Sequence, residues 1–438
     1  MLKVAVIGAG AAGLVAARLL SAEPAVFAPP VVFEQAATIG GTWVYTDQVG
    51  KDRHGLPIHS SMYRNLRTNL PKEVMGFPDF PFKETSYNGK SFIFHEEVLD
   101  YLRSYASEFN LERFISFETR VEQVTPLSVG DPRSGWSITT RNLTTGAVEN
   151  RHFDALLVCN GHYSVPAVPN IPGLKEFQGE VLHSHDYRFP EPYTGKRIIL
   201  LGGRASGIDI SMEVSKVAKQ VYLAHNQPPF PATLPDNMRQ TVGIERMDGS
   251  EAVLLDGSRV EVDVLMFCTG YEFVFPFLSP ECGVSVVDRQ VRPLYKHLVH
   301  TEYPRMAFVG LPTVVLPFPL FHKQVQFFLA SLTGRLQLPS RAEMTEDTVR
   351  DLQRRLEMGM PRRYAHFLGP LQWEYFDELA AMSGTAPMPP AVRELYDEVH
   401  VQRCHNLSGY KDKAFRITGP DSFVEVTDEV MNDLYSKL

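Results

Sequence analysis

The stretch LKVAVI at 2–7 is nearly unbroken in apolar side chains, and AAGLVAARLLS at 11–21 carries them around most of a helical turn. A short apolar run feeding such a segment predicts a strand buried on both faces, with a helix packed back on it. VVFE at 31–34 predicts the next strand, so the chain opens as a βαβ unit. The same order returns later, with strand KRIILL at 196–201, a helix over 206–217 and strand QVYLAH at 220–225. Each helix is entered through a glycine cluster, VIGAGAAG at 6–13 and LLGGRASG at 200–207.

A further echo joins the two regions. DALLVCNGHYSVP at 154–166 follows the pattern of DVLMFCTGYEFVFP at 263–276, with Asp154 matching Asp263, Cys159 matching Cys268 and Gly161 matching Gly270. In both copies an apolar strand ends in Cys-x-Gly, and a stretch containing an aromatic leads to proline. Two nucleotide-binding halves of common design explain this. The predicted fold class is α/β, with two Rossmann-like dinucleotide-binding domains, the smaller inserted in the larger. Gly8 and Gly161 lie more than twice as far apart as Gly202 and Gly270, so the first half carries a large insertion or is split around the second. The predicted limits are 1–165 for the first part of the larger domain, 166–275 for the smaller one, and 276–438 for the remainder with a C-terminal extension. Pro166, Pro169 and Pro172 stiffen the first crossing. RMAFVGL at 305–311 predicts a strand rejoining the first sheet, and 343–360 and 390–400 read as helices. Residues 401–438 carry no assignable pattern.

Composition narrows the partners. With 44% apolar and 21% charged residues the chain is an ordinary globular protein. Acidic residues outnumber basic ones, 51 to 43, and no long basic run exists, so no nucleic-acid partner is expected. No apolar run reaches the roughly 18 residues of a membrane span. No signal-peptide pattern precedes the first strand and the C-terminal VTDEVMNDLYSKL is polar, so no membrane anchor is expected. Cys159, Cys268, Cys282 and Cys404 include no C-x-x-C pair, which points to a reducing compartment, the cytoplasm, and away from a disulfide reductase. Two N-x-S/T triplets, at Asn142 and Asn406, leave a secreted origin open. Nothing in the sequence limits homo-oligomerisation.

The chemistry resides in the glycines. Gly8-x-Gly10-x-x-Gly13 permits a tight turn and close approach of backbone to a pyrophosphate, with the helix N-terminus facing the negative charge. Glu34, ending the next strand, can accept hydrogen bonds from a ribose. An N-terminal site followed by GGTW at 40–43 suits FAD. In the second cluster Gly202, Ser206 and Gly207 survive, but Arg204 replaces the middle glycine and Ala224-His225-Asn226 stands where an acid would end the next strand. A missing acid argues against NAD and favours NADPH. Arg204 should crowd a pyrophosphate, unless its guanidinium grips a cofactor phosphate.

Between the halves, Phe177-x-Gly179-x-x-x-His183-x-x-x-Tyr187 resembles the fingerprint of class B flavoprotein monooxygenases. The final tyrosine resembles the flavin-containing monooxygenase branch more than the Baeyer–Villiger branch. RTNLPKEVMGFPDFPF at 67–82, TGY at 269–271 and FVGLP at 308–312 also fit, and the resemblance runs from residue 1 to about 340. QW at 372–373 and PPAVRELY at 389–396 resemble insect and plant N-oxygenase-type members. The resemblance implies that NADPH reduces FAD, that dioxygen then forms a flavin C4a-hydroperoxide, and that an amine nitrogen or sulfide sulfur of a small xenobiotic or alkaloid takes the distal oxygen.

It also implies site residues. FAD would be held by the first glycines and Glu34 together with Gly41, Thr42, Trp43, Thr68, Asn69, Leu70, Val121 and Gln324. NADPH would be held by Gly202, Arg204, Ser206, Gly207, Asp209, His225 and Asn226. Asn69 would be the catalytic residue, its amide offering donors and an acceptor beside the flavin. His183 would couple domain movement rather than transfer protons. Cys159 and Cys268 read as small apolar fillers. No triad, carboxylate dyad or metal cluster stands out. Baeyer–Villiger oxygenation of ketones, a hydride-only flavin reductase and a flavin-binding protein with impaired NADPH turnover stay open as alternatives.

Overall fold

A computed structural model describes residues 1–83 and 89–427; most of the polar C-terminal tail, from 428 on, lies outside the described residues. The first sheet has seven strands in the order Leu294–Tyr295, Val299–His300, Met306–Phe308, Ala155–Val158, Val4–Ile7, Val31–Phe33 and Ile115–Ser116. The last five are parallel, and Val4–Ile7 sits between Ala155–Val158 and Val31–Phe33. Alternation of side chains explains why these strands read as unbroken apolar runs. Val4 and Val6 face Leu14 and Val15 on the helix Ala11–Ser21, while Ala5 and Ile7 face Trp136 and Ile138. Trp136 and Ile138 belong to an antiparallel meander, Thr119–Pro126, Trp136–Asn142 and Val148–Phe153, that covers the second face.

The second sheet repeats the plan. Its five parallel strands run Met238–Thr241, Gln220–Ala224, Arg197–Leu201, Val264–Phe267 and Glu180–His183. Ile198 and Leu200 pack with the helix Ala205–Val214, while Ile199 packs with Ala252 and Leu254 of a meander spanning 244–261. The internal echo thus marks equivalent strands, each following a meander and lying beside the first strand of its sheet. Even the matched acids agree. Asp154 Oδ2 accepts the Lys3 amide at 2.7 Å, and Asp263 Oδ2 accepts the Arg197 amide at 2.8 Å.

The crossings between the sheets run side by side. The Ala167 amide donates to Gly270 O at 2.9 Å and the Glu272 amide to Val165 O at 2.9 Å, with an antiparallel bridge between Pro166 and Tyr271. The extra length of the first half lies mainly in 41–114, between the strands Val31–Phe33 and Ile115–Ser116. It holds the helices Lys72–Met75 and His95–Glu108 and the stretch that carries Asn69. Met306–Phe308 rejoins the first sheet, and Arg341–Glu357 and Pro390–His405 are helical. The reciprocal Ser340–Glu343 capping box starts the former. Residues without a readable pattern form a turn at Tyr410–Asp412 and a hairpin of Phe415–Gly419 with Ser422–Glu425.

Candidate functional site

Each glycine cluster makes the same backbone turn. Gly8 has φ +102°, and a Cβ there would lie 2.5 Å from Cys159 O; Gly202 has φ +128°, and its Cβ would lie 2.3 Å from Cys268 O. A Cβ on Gly13 would meet Gly8 O at 1.8 Å, and one on Gly207 would meet Gly202 O at 1.7 Å. These positions are glycine because the chain itself leaves no room. Gly10 differs, since a Cβ there would meet Gly41 Cα and N at an ordinary 3.6 and 3.9 Å. Its open side is the space a dinucleotide needs. Neither helix has a side-chain cap or an acidic residue in its first turn, so the amides at both N-termini stay receptive to an anion. The residues present therefore fit two dinucleotides.

Around the first cradle, Gly40 donates its amide to Ala9 O at 3.1 Å, and Gly41 stands against Gly10. Thr42 O accepts the Ser60 hydroxyl at 2.8 Å, and Trp43 meets Phe318 edge-on. Glu34 is buried and accepts the Ala9 and Ala36 amides, each at 2.7 Å. Burial raises its pKa, opposed by those amides. Each carboxylate oxygen keeps a lone pair for a ribose hydroxyl. Val121 is buried beside Phe33, where the meander ladder slips register before Gln123.

The stretch 67–72 is pinned to 91–94. The Thr68 amide donates to Ile93 O at 2.8 Å, the Ile93 amide to Thr68 Oγ1 at 3.1 Å and the Lys72 amide to Ser91 O at 2.8 Å. Asn69 and Leu70 sit half-buried on this rigid run. Among the described residues no hydrogen bond commits the Asn69 amide.

Several assigned side chains are engaged elsewhere. Gln324 is fully buried in the helix Pro317–Leu332; its Oε1 accepts the Gly310 amide at 2.8 Å and its Nε2 donates to Tyr375 Oη at 2.9 Å. These two bonds tie the helix to the FVGLP turn. Asp209 accepts from the Tyr63 hydroxyl and pairs with Lys411. These partners turn Asp209 toward the domain junction. His225 is buried beneath Gly203 and hydrogen-bonds Gln240 at 3.2 Å, leaving exposed Asn226 as the polar group past that strand. Ser206 is half-buried in the first turn of the helix Ala205–Val214. Arg204 lies at the helix N-cap with its guanidinium 4.7 Å from the Tyr364 ring and 4.9 Å from the Phe367 ring. It is seated on aromatic faces, and among the described residues no carboxylate holds it.

The 177–187 motif builds the junction. A Cβ on Gly179 would strike the Phe177 ring at 2.3 Å and Asp263 O at 2.4 Å, so the strand Glu180–His183 enters the second sheet only with glycine there. His183 is buried, its Nδ1 accepts the His185 amide at 3.0 Å, and its ring stands edge-on to Tyr271 at 5.2 Å. Burial pushes its pKa down to about 4, leaving it neutral near pH 7. Tyr187 is fully buried and donates to Glu213 at 2.8 Å. Burial pushes the Cys268 thiol up to about 12 and raises Cys159 likewise, so neither is a thiolate.

Two cradles of this geometry, joined by a double crossing, define a protein built to hold two dinucleotides. The family model described as flavin-binding monooxygenase-like matches residues 1–230 and 236–432, so the chain belongs to that family and is a flavin monooxygenase. The cofactors expected from the two fingerprints, FAD and NADPH, are those of this family. The flavin-containing monooxygenase FMO GS-OX-like 2 of Arabidopsis thaliana is 40% identical over 400 residues, covering 86% of this chain and 84% of the relative. The solved S-allyl-L-cysteine S-oxygenase of Allium sativum superposes with a TM-score of 0.87 at 38% identity, covering 100% of this chain and 99% of its own. Tmm of Pelagibacter superposes with a TM-score of 0.85 at 28% identity, over 97% of this chain and 96% of its own. Among the described residues no helix is long and apolar enough to cross a membrane.

Proposed function

We propose that this chain is an NADPH- and dioxygen-dependent oxygenase that transfers one oxygen atom to the sulfur or nitrogen of small soft nucleophiles, sulfides foremost. In balance, NADPH, a proton, dioxygen and a sulfide give NADP⁺, water and a sulfoxide. The flavin, when bound, supplies the redox chemistry and activates the oxygen. The larger domain, 1–165 with 276–438, holds FAD, and 166–275 holds NADPH. The observation that carries the reading is Asn69, whose amide has no hydrogen bond among the described residues, on a stretch pinned at Thr68 and Lys72. Its donors and acceptor suit a group that must orient both an activated oxygen and a ribose. The likeness to the garlic S-oxygenase supports sulfur as the preferred atom.

The chain's own groups do the rest by position. Glu34 orients the first turn through Ala9, Gln324 fixes Gly310, and neutral His183 packs the junction without supplying a proton. The four cysteines, three of them buried and none in a disulfide, support a reducing compartment such as the cytoplasm. Asn69→Ala is expected to keep reducing flavin with NADPH but to release hydrogen peroxide instead of oxygenating. Unchanged coupling in that variant removes Asn69 from the site. Products from a dialkyl sulfide, a tertiary amine and a cyclic ketone separate the classes: sulfoxide and N-oxide are expected, and lactone as the main product overturns the assignment.

A further inference from the structure

The turn Tyr410–Asp412 sits where the two domains meet. Lys411 Nζ pairs with Asp209 on the helix that starts at the second glycine cluster, and donates to Arg67 O at 3.0 Å. Arg67 answers through Asp412 Oδ1 at 3.0 Å and through Lys411 O. The strap is anchored beneath by Tyr410 edge-on to Phe92 and by the Phe415 amide donating to Ser91 Oγ at 2.7 Å. Ser91 and Ile93 are the partners that pin Thr68 and Lys72 on either side of Asn69. Parallel contacts run from the same helix, where Glu213 accepts Asn65 Nδ2 at 2.6 Å and the Tyr187 hydroxyl at 2.8 Å. The Lys411 side chain is only 14% exposed, and burial lowers its pKa while Asp209 opposes the shift.

We propose that Lys411 is a positioning residue for oxygen transfer. It holds the second fingerprint helix in register with the stretch that carries Asn69, and neutralises Asp209 within about a turn of the amides that would receive a cofactor phosphate. The proposal rests on the functional reading above. Two consequences separate. Loss of the ammonium leaves an uncompensated carboxylate near the phosphate site and weakens the anionic cofactor. Loss of the donor to Arg67 O loosens the stretch two residues from Asn69 and lets activated oxygen escape as peroxide.

The test compares Lys411→Met, Lys411→Arg and the double variant Asp209→Asn/Lys411→Met with the wild-type holoenzyme. NADP⁺ affinity is titrated directly, and peroxide per NADPH consumed is measured with a dialkyl sulfide present. Lys411→Met is expected to weaken NADP⁺ about tenfold, the size of one charge-assisted contact, and to raise the peroxide share. The double variant should regain NADP⁺ affinity yet keep the raised peroxide share, while Lys411→Arg stays close to wild type in both. Lys411→Met that matches wild type in both readouts, or loses only thermal stability, overturns the proposal. So does a double variant that regains no affinity. If NADPH fails to reduce the wild-type flavin, the functional reading falls; NADP⁺ binding is read without turnover, so the two failures are distinguishable.

Discussion

The two glycine clusters are built alike where the chain packs on itself and differ where a ligand would lie. A Cβ added at Gly8 or Gly202 would lie 2.5 or 2.3 Å from the carbonyl of the matched cysteine, and one at Gly13 or Gly207 would lie 1.8 or 1.7 Å from Gly8 O or Gly202 O. The middle position shows no such demand: Gly10 has space, and Arg204 reaches onto two rings. The next strand ends in Glu34 tied to the first turn, or in His225 stacked under Gly203. Backbone geometry is thus shared where folding requires it, while the middle position and the end of the next strand differ.

The sharpest way to break this comparison is to add a methyl where the chain leaves none. Gly13→Ala and Gly207→Ala should each cost about 3 kcal/mol or more in denaturant unfolding, since a backbone carbonyl stands in the way. Gly10→Ala should leave apo stability within about 0.5 kcal/mol while lowering flavin content. A similar loss at all three positions would erase the distinction between folding and ligand positions.

Next in size is Glu34→Gln, which keeps one acceptor for two amides and turns a donor toward the other. A loss of about 1–3 kcal/mol is expected by thermal or denaturant melting, together with weaker FAD retention. The matched acids at the strand starts sharpen the comparison through pH. Arg197 holds the Asp263 carboxyl down at about 2 from 3.8, so its contribution is present above pH 3.8 and lost as pH falls through that window. Asp263→Asn should shift the acid-unfolding midpoint upward. Smallest is Arg204→Gly, whose loss of an exposed cation–π contact is worth about 0.5–1 kcal/mol. If the guanidinium leaves the rings for a cofactor phosphate, NADPH affinity falls more than NADH affinity; tighter NADPH in the variant would make the arginine an obstacle.

Local pattern made much of this legible. The strands and fingerprint helices fall within one to three residues of their predicted bounds, because buried parallel strands and glycine turns write themselves into contiguous residues. The Cys-x-Gly echo named equivalent strands for the same reason. The helix Pro317–Leu332 carried no such signal, with prolines at 317 and 319 and burial around most of its surface. The partners of Gln324 and Asp209, Tyr375 and Lys411, lie 51 and 202 residues away and left no local signal. Lys411 sits 344 residues from Arg67, a contact no periodicity announces. Asn69 entered only through resemblance, since one asparagine before Leu-Pro is otherwise a turn residue.

On the reading above, the two cradles bring a reducing dinucleotide and a flavin into one working site. Anaerobic stopped-flow mixing of the FAD-loaded protein with NADPH tests it most directly. The account predicts complete bleaching of the flavin, much faster than NADPH reduces free FAD and faster than with NADH. Reduction no faster than in free solution would contradict it and leave a flavin-binding protein whose second cradle serves no turnover.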